Sequence, residues 1–242
     1  MPDGAGRGGE RLSGLQILAQ LRMSLSRDDI APDLADYGAV TGHDASLRRL
    51  HRTTGGHVDL RVEAHRLAAI DWLRAWGCRH LRRTDTGRTA AVLRDWWNNW
   101  GGHLPAEHAS LTELGEADLI EAGQAYDALR VVLAARRSLR DGEVGVAFGP
   151  TAAAKTMFAV RPLAFLPSDT PIRQAFRWSD GSDAYLSLLR LAAETVDGLA
   201  RRLAVPISDL PAFLGRPESS PPKLIHEYLW IRIMKARWAA DR

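Results

Sequence analysis

Long apolar runs, cysteines and lysines are what this sequence has least of. No apolar stretch approaches the roughly 20 residues that a membrane-spanning helix needs, so no membrane partner is expected. Cys78 is the single cysteine, which excludes an internal disulfide. No Cys/His cluster has the spacing of a zinc site, so no metal is expected. A lone thiol among apolar and basic neighbours reads as a buried structural residue of a cytoplasmic protein. Lysine occurs only at Lys155, Lys223 and Lys235, so arginine carries nearly all the positive charge. The net charge is +3 and the isoelectric point about 9.3, a mild excess. A GC-rich genome produces the same arginine bias without any functional reason. Arginine is also the better fork for phosphate, so the composition permits a nucleic-acid partner without requiring one.

What is present is helical patterning. Hydrophobic residues make up 45% of 242, enough for one large domain or two small lobes sharing a core. Met1 to Glu10 is Gly-rich and polar without the apolar centre of a signal peptide, and we expect a disordered tail over residues 1–14 before a domain at 15–242. Apolar residues recur at helical spacing over Leu15–Leu25, and over Val58–Leu81 with Leu60, Ala64, Leu67, Ile70, Leu73 and Trp76 near one face. Asp28–Thr54 reads as short helices or irregular turns. Further helices are expected at Arg88–Trp100 after an Asp85-Thr86-Gly87 cap, Ala117–Leu139, Pro150–Val160, Asp183–Leu203, Ser208–Leu214 and Lys223–Trp238. Asp141-Gly142 reads as a turn, and no alternating strand is evident. The predicted class is all-α.

The chemistry concentrates between Gly142 and Phe176. Phe148-Gly149-Pro150-Thr151 leads into Ala152-Ala153-Ala154-Lys155, a glycine turn running into a helix start. Unpaired N–H groups and the positive helix end there suit a phosphate, although an ordinary loop-to-helix junction has the same text. Asp169 follows Gly149 by twenty residues, within Pro167-Ser168-Asp169-Thr170-Pro171-Ile172. As a plain residue it is a helix N-cap before Thr170 and Pro171.

That interval, with Thr170 and Ile172, resembles the helix-hairpin-helix DNA glycosylase superfamily, which includes endonuclease III-like and alkyladenine glycosylases. The resemblance is specific over about residues 142–176 and general elsewhere. It implies a two-lobed helical architecture with a central cleft for double-stranded DNA and an extruded base, acting as a monomer. It makes Asp169 the catalytic residue and has the hairpin at Gly149 and Thr151 hold the DNA backbone. By their own positions Lys155 adds charge at the helix start, and Arg173, one turn past Asp169, and Arg161, just before the crossing, are the arginines expected at phosphates. In the family such a hairpin also binds a monovalent cation, the only cofactor implied. The sequence departs from the pattern in having Ala147 for the first hairpin glycine and Gly145 for the preceding proline. Thr151 stands where strand-cutting members carry a nucleophilic lysine, which implies hydrolysis to an abasic site without strand cleavage.

A flipped base needs aromatic faces and amide donors. Trp96, Trp97, Asn98, Asn99 and Trp100 are the expected base pocket, although Trp96 and Trp100 also have the spacing of core residues. Tyr126, Asp127, Trp178 and Tyr185 are weaker candidates. The expected substrate is DNA with a modified base. A weaker similarity to a phage-defence glycosylase acting on glucosylated hydroxymethylcytosine points to antiviral defence, with repair of alkylated or oxidised bases beside it. A DNA-binding protein that retains the hairpin without the chemistry, and a helical adaptor, are the readings from other classes.

Overall fold

The computed structural model describes residues 13–24, 26–42, 44–83, 85–139 and 142–241. Residues 1–12 of the expected tail and Asp141 of the expected turn therefore lie outside the described residues, while Ser13 and Gly14 belong to the first helix. The described residues are mostly helical, with a single two-stranded sheet among them.

Helix α1 (Gly14–Met23) opens on a reciprocal cap in which the Ser13 N–H donates to Gln16 Oε1 and the Gln16 N–H to Ser13 Oγ. The 28–54 region resolves into α2 (Ala31–Thr41) and α3 (Ala45–Thr54). Helix α4 (Glu63–Ala75) is shorter than periodicity predicts, and its buried face runs through Ala69, Ile70, Trp72 and Leu73, leaving Leu67 exposed. Helix α5 (Thr86–Trp100) starts on the Asp85 carboxylate, which accepts from the Gly87 and Arg88 N–H groups.

The main correction to the expected fold follows α5. Helix α6 (Glu116–Val131) stops well before Leu139, and Leu133–Leu139 is strand β1, antiparallel to β2 (Gly142–Ala147). The register pairs Leu139 with Gly142 and Leu133 with Ala147. Ala, Leu and Arg favour a helix through β1, which is why no strand is legible there. Pairing with the valine-rich β2 overrides that preference, since Val144 and Val146 suit an extended chain. Ala134 and Phe148 are both fully buried, and the Phe148 N–H donates to the Val132 carbonyl at 2.8 Å, so the base of the ribbon is anchored in the core. Helix α7 (Gly149–Val160) is thus entered from a strand, and the expected apolar loop at Val146–Phe148 is largely the end of β2.

Helices α8 (Thr170–Phe176), α9 (Ser182–Leu203), the single-turn α10 (Leu210–Phe213) and α11 (Pro221–Ala240) complete the chain. Helix α7 is buried from Ala152 to Val160 and packs on α4 and α6, while α11 packs on α1, α2, α8 and α9. One hydrophobic core runs through both groups. Among the described residues no helix is long and apolar enough to cross a membrane.

Helix α11 carries a buried charge network. Lys223 and Glu227 lie one turn apart, 1% and 0% exposed, and form an ion pair. Arg216 donates to Glu227 Oε2 and Asp44 Oδ2, both at 2.8 Å, and Lys223 reaches Asp44 Oδ2 at 2.6 Å. Two acids and two bases balance, so no net charge is buried. Lys223 is therefore a structural residue and no exposed helix start. Removing one member of such a set leaves an uncompensated charge, at a cost of about 3–5 kcal/mol. Glu227→Gln is expected to lower unfolding stability by roughly that amount in urea titrations, whereas Glu194→Gln, which breaks an exposed pair with Arg22, should cost less than about 1 kcal/mol.

Candidate active site

Lys155 is the one charged residue of α7, and its side chain is only 4% exposed. A buried ammonium must find acceptors. It donates to the Trp76 carbonyl and sits 4.8 Å from the centroid of the Trp76 ring. Trp76 caps the C-terminus of α4, where carbonyls are left unpaired and the helix dipole is negative, so the end of one helix receives the cation of another. Gly77 follows with φ +93, a left-handed turn that carries the chain away from the ammonium. Behind Trp76 lie Phe158, stacked at 6.0 Å, and the His226 ring at 5.6 Å. The His226 Nδ1–H donates to the Pro167 carbonyl at 2.8 Å, and burial holds its pKa well below the ordinary histidine value, so this ring is neutral.

Asp169 is placed from the other side. It is the N-cap of α8, and its Oδ1 accepts from the Ile172 N–H at 3.4 Å. Pro171 has no N–H to offer, so the cap engages the carboxylate lightly. Burial raises the Asp169 pKa above the usual aspartate value, opposed by the Lys155 ammonium, the Ile172 N–H, Arg173 and Arg237. Arg173, one turn on, donates to Asp180 Oδ1 at 2.9 Å, Thr151 Oγ1 at 3.0 Å and Thr170 Oγ1 at 3.2 Å. It ties the start of α8 to the start of α7.

These groups line one open cavity of about 1130 Å³, walled by Trp76, Trp178 and Trp230. Of the residues expected at a site, Asp169, Gly149, Thr151, Lys155 and Arg173 come together here. Lys155 belongs to the cavity wall, where its ammonium is already held. Arg161 does not join them. It is buried, donates to the Pro105 and Val160 carbonyls, and lies 5.4 Å from the Trp97 ring.

The expected base pocket is also displaced, since none of its five residues lines this cavity. Trp96 is buried with its indole N–H on the Ala125 carbonyl, Trp97 meets Arg161, and Trp100 packs near His103. Asn98 is exposed and Asn99 donates to the Asp95 carbonyl of its own helix. Tyr126, Tyr185 and Asp127 are structural: the two tyrosines stack at 4.4 Å and Asp127 accepts from Ser182 and Arg130. Only Trp178 among the weaker candidates reaches the wall. Trp76 and Trp230 escape a sequence reading because single tryptophans inside helical patterns look like core.

The residues do not fit the monovalent cation implied by the resemblance. Its carbonyl cage would come from the turn before α7, and there the Phe148 carbonyl accepts from His80 Nε2 at 2.7 Å while Val146 and Ala147 are in the ribbon. Among the described residues no group of three or more His, Cys, Asp and Glu could hold a metal. Compared with known proteins, the chain matches no family model, no curated protein and no solved structure.

Cys78 also borders the cavity, but burial pushes its pKa up to about 11. At pH 8 the thiolate fraction is then on the order of a thousandth. An aromatic disulfide reagent at that pH should leave the folded protein untouched and titrate the single thiol promptly once the chain is unfolded.

Proposed function

We propose that the protein is a DNA glycosylase that hydrolyses the N-glycosidic bond of a modified base and leaves an abasic site in an intact strand. The observation that carries this reading is the Asp169 carboxylate lining a large cavity walled by three tryptophans. Breaking the bond between C1′ and the base nitrogen builds positive charge on the sugar. A carboxylate beside it stabilises that charge and takes the proton of the water that adds to C1′, while the base nitrogen leaves with the bonding electron pair and ends by taking up that proton. The indole faces receive the unstacked base. In this reading the α3–α7 group with the ribbon and the group of α1, α2, α8, α9 and α11 act as two lobes, and the duplex crosses between them. At about 1130 Å³ the cavity lies just above the ~300–1000 Å³ typical of ligand pockets, which favours a base with a bulky modification such as a glucosylated hydroxymethylcytosine over a methylated one.

A second reading has Lys155 attack C1′ through its amine and cut the strand. It is favoured by the absence, among the described residues, of any carboxylate in ion-pair contact with Lys155. The Lys155 nitrogen is already engaged by the Trp76 carbonyl and indole, so hydrolysis is the preferred route.

The test is incubation with unmodified, alkylated, oxidised and phage-modified DNA, followed by detection of released base and abasic sites. Asp169→Asn keeps an N-cap and should retain the fold while losing at least about a hundredfold in rate; release unaffected by this change sinks the catalytic assignment. Borohydride should trap no protein–DNA adduct. Because the Asp169 pKa is raised, the rate should fall on acidification with a limb above the usual aspartate value of about 4. Lys155→Met removes the cation that favours the ionised form, so that limb should move to higher pH, whereas an attacking amine predicts complete loss instead.

A further inference from the structure

Next to the cavity is a second, smaller hollow of about 290 Å³, lined by Ser13, Gln174, Ala175, Arg177, Ile233, Ala236 and Arg237. Gln174 lines both, and its Oε1 accepts from Arg237 at 2.9 Å. No carboxylate lines the second hollow, and among the described residues neither Arg177 nor Arg237 pairs with one. The two hollows together hold five basic residues, Arg79, Lys155, Arg173, Arg177 and Arg237, against two acidic ones, Asp169 and Asp180. That excess of three equals the net charge of the whole chain, +3, so the rest of the molecule is balanced. A local excess of basic groups at these hollows suits a polyanion.

Arg177 also occupies a strained backbone position. It caps α8 in the left-handed region, φ 56 and ψ 34, with its N–H on the Arg173 and Gln174 carbonyls. Glycine takes that conformation without strain and is the usual residue at such a cap, yet an exposed arginine is kept. Ala204 closes α9 in the same way, φ 53 and ψ 41, far along the chain from either hollow, and serves as an internal comparison.

We propose that Arg177 and Arg237 form a backbone-phosphate seat that grips the nucleic-acid strand beside the cavity, with Ala175, Ile233 and Ala236 under the sugar. This rests on the proposed action on DNA, and it places the strand over the α8–α11 side in addition to the start of α7. Two arginines with no protein carboxylate to displace bind phosphate without first breaking an ion pair.

The test measures binding of an unmodified 20-base-pair duplex at several salt concentrations, so it is independent of base release. Arg177→Gly is expected to raise Tm by about 2 °C through relief of the left-handed strain, and to weaken duplex binding severalfold. Arg177→Gly/Arg237→Ala should lower the slope of log affinity against log salt by about 0.9 for each phosphate that is no longer neutralised. Ala204→Gly should raise Tm similarly with no change in affinity. An unchanged slope in the double variant overturns the seat while leaving base excision standing. Loss of slope in a protein that releases no base from any DNA overturns the excision reading while supporting the seat. Attachment to phosphatidylserine vesicles without duplex binding overturns the seat in favour of a lipid surface.

Discussion

An ammonium on a helix that is otherwise buried and apolar has to be met by acceptors brought from elsewhere in the chain. On α7 that ammonium belongs to Lys155, and the acceptors are the last carbonyl of α4 and the face of Trp76. Satisfying it brings the end of α4 against the middle of α7. The same contact exposes one edge of Trp76 to the cavity and backs the other with Phe158 and His226. It also sets the electrostatics opposite, where Asp169 is desolvated enough for its pKa to rise and close enough to the cation for the rise to be opposed.

Helix α11 connects this site to the stability of the molecule. At its start Lys223 and Glu227 are locked with Asp44 and Arg216, and between them His226 holds the Pro167 carbonyl two residues before Asp169. One turn on, Trp230 lines the cavity and meets Tyr37 edge-on at 5.6 Å. The aspartate and an aromatic wall are therefore positioned from a helix whose own seat is a buried, charge-neutral network. Such networks contribute little net stability compared with apolar packing, but they penalise any arrangement that leaves a charge unpaired. A precise placement of α11 is worth that desolvation if the wall and the carboxylate must keep their separation.

The long amphipathic α9 was legible because its periodicity is strong over many turns, and the caps at Asp85 and Asp169 because short polar side chains before a helix have one dominant role. Gly149 and Asp169, twenty residues apart in sequence, line one cavity. The β-ribbon was hidden by helix-favouring residues in β1, which a partner strand overrules. Arg161 looks like any exposed arginine until the Pro105 carbonyl is found beside it, more than fifty residues away in sequence.

The tryptophans show most plainly where local information ends. The cluster at residues 96–100 has the composition of a binding wall, but α5 turns one indole into the core and leaves the others away from Asp169. The tryptophans that line the cavity with Asp169 are Trp76, Trp178 and Trp230, isolated in sequence and contributed by three separate segments. By itself the sequence determined the helical character and the cap at Asp169, since these depend on neighbours along the chain. Which charges are buried, which indoles face the cavity and where Arg177 and Arg237 come together were decided only by tertiary structure. Those properties depend on what each side chain meets across the fold, and a linear pattern carries no record of that.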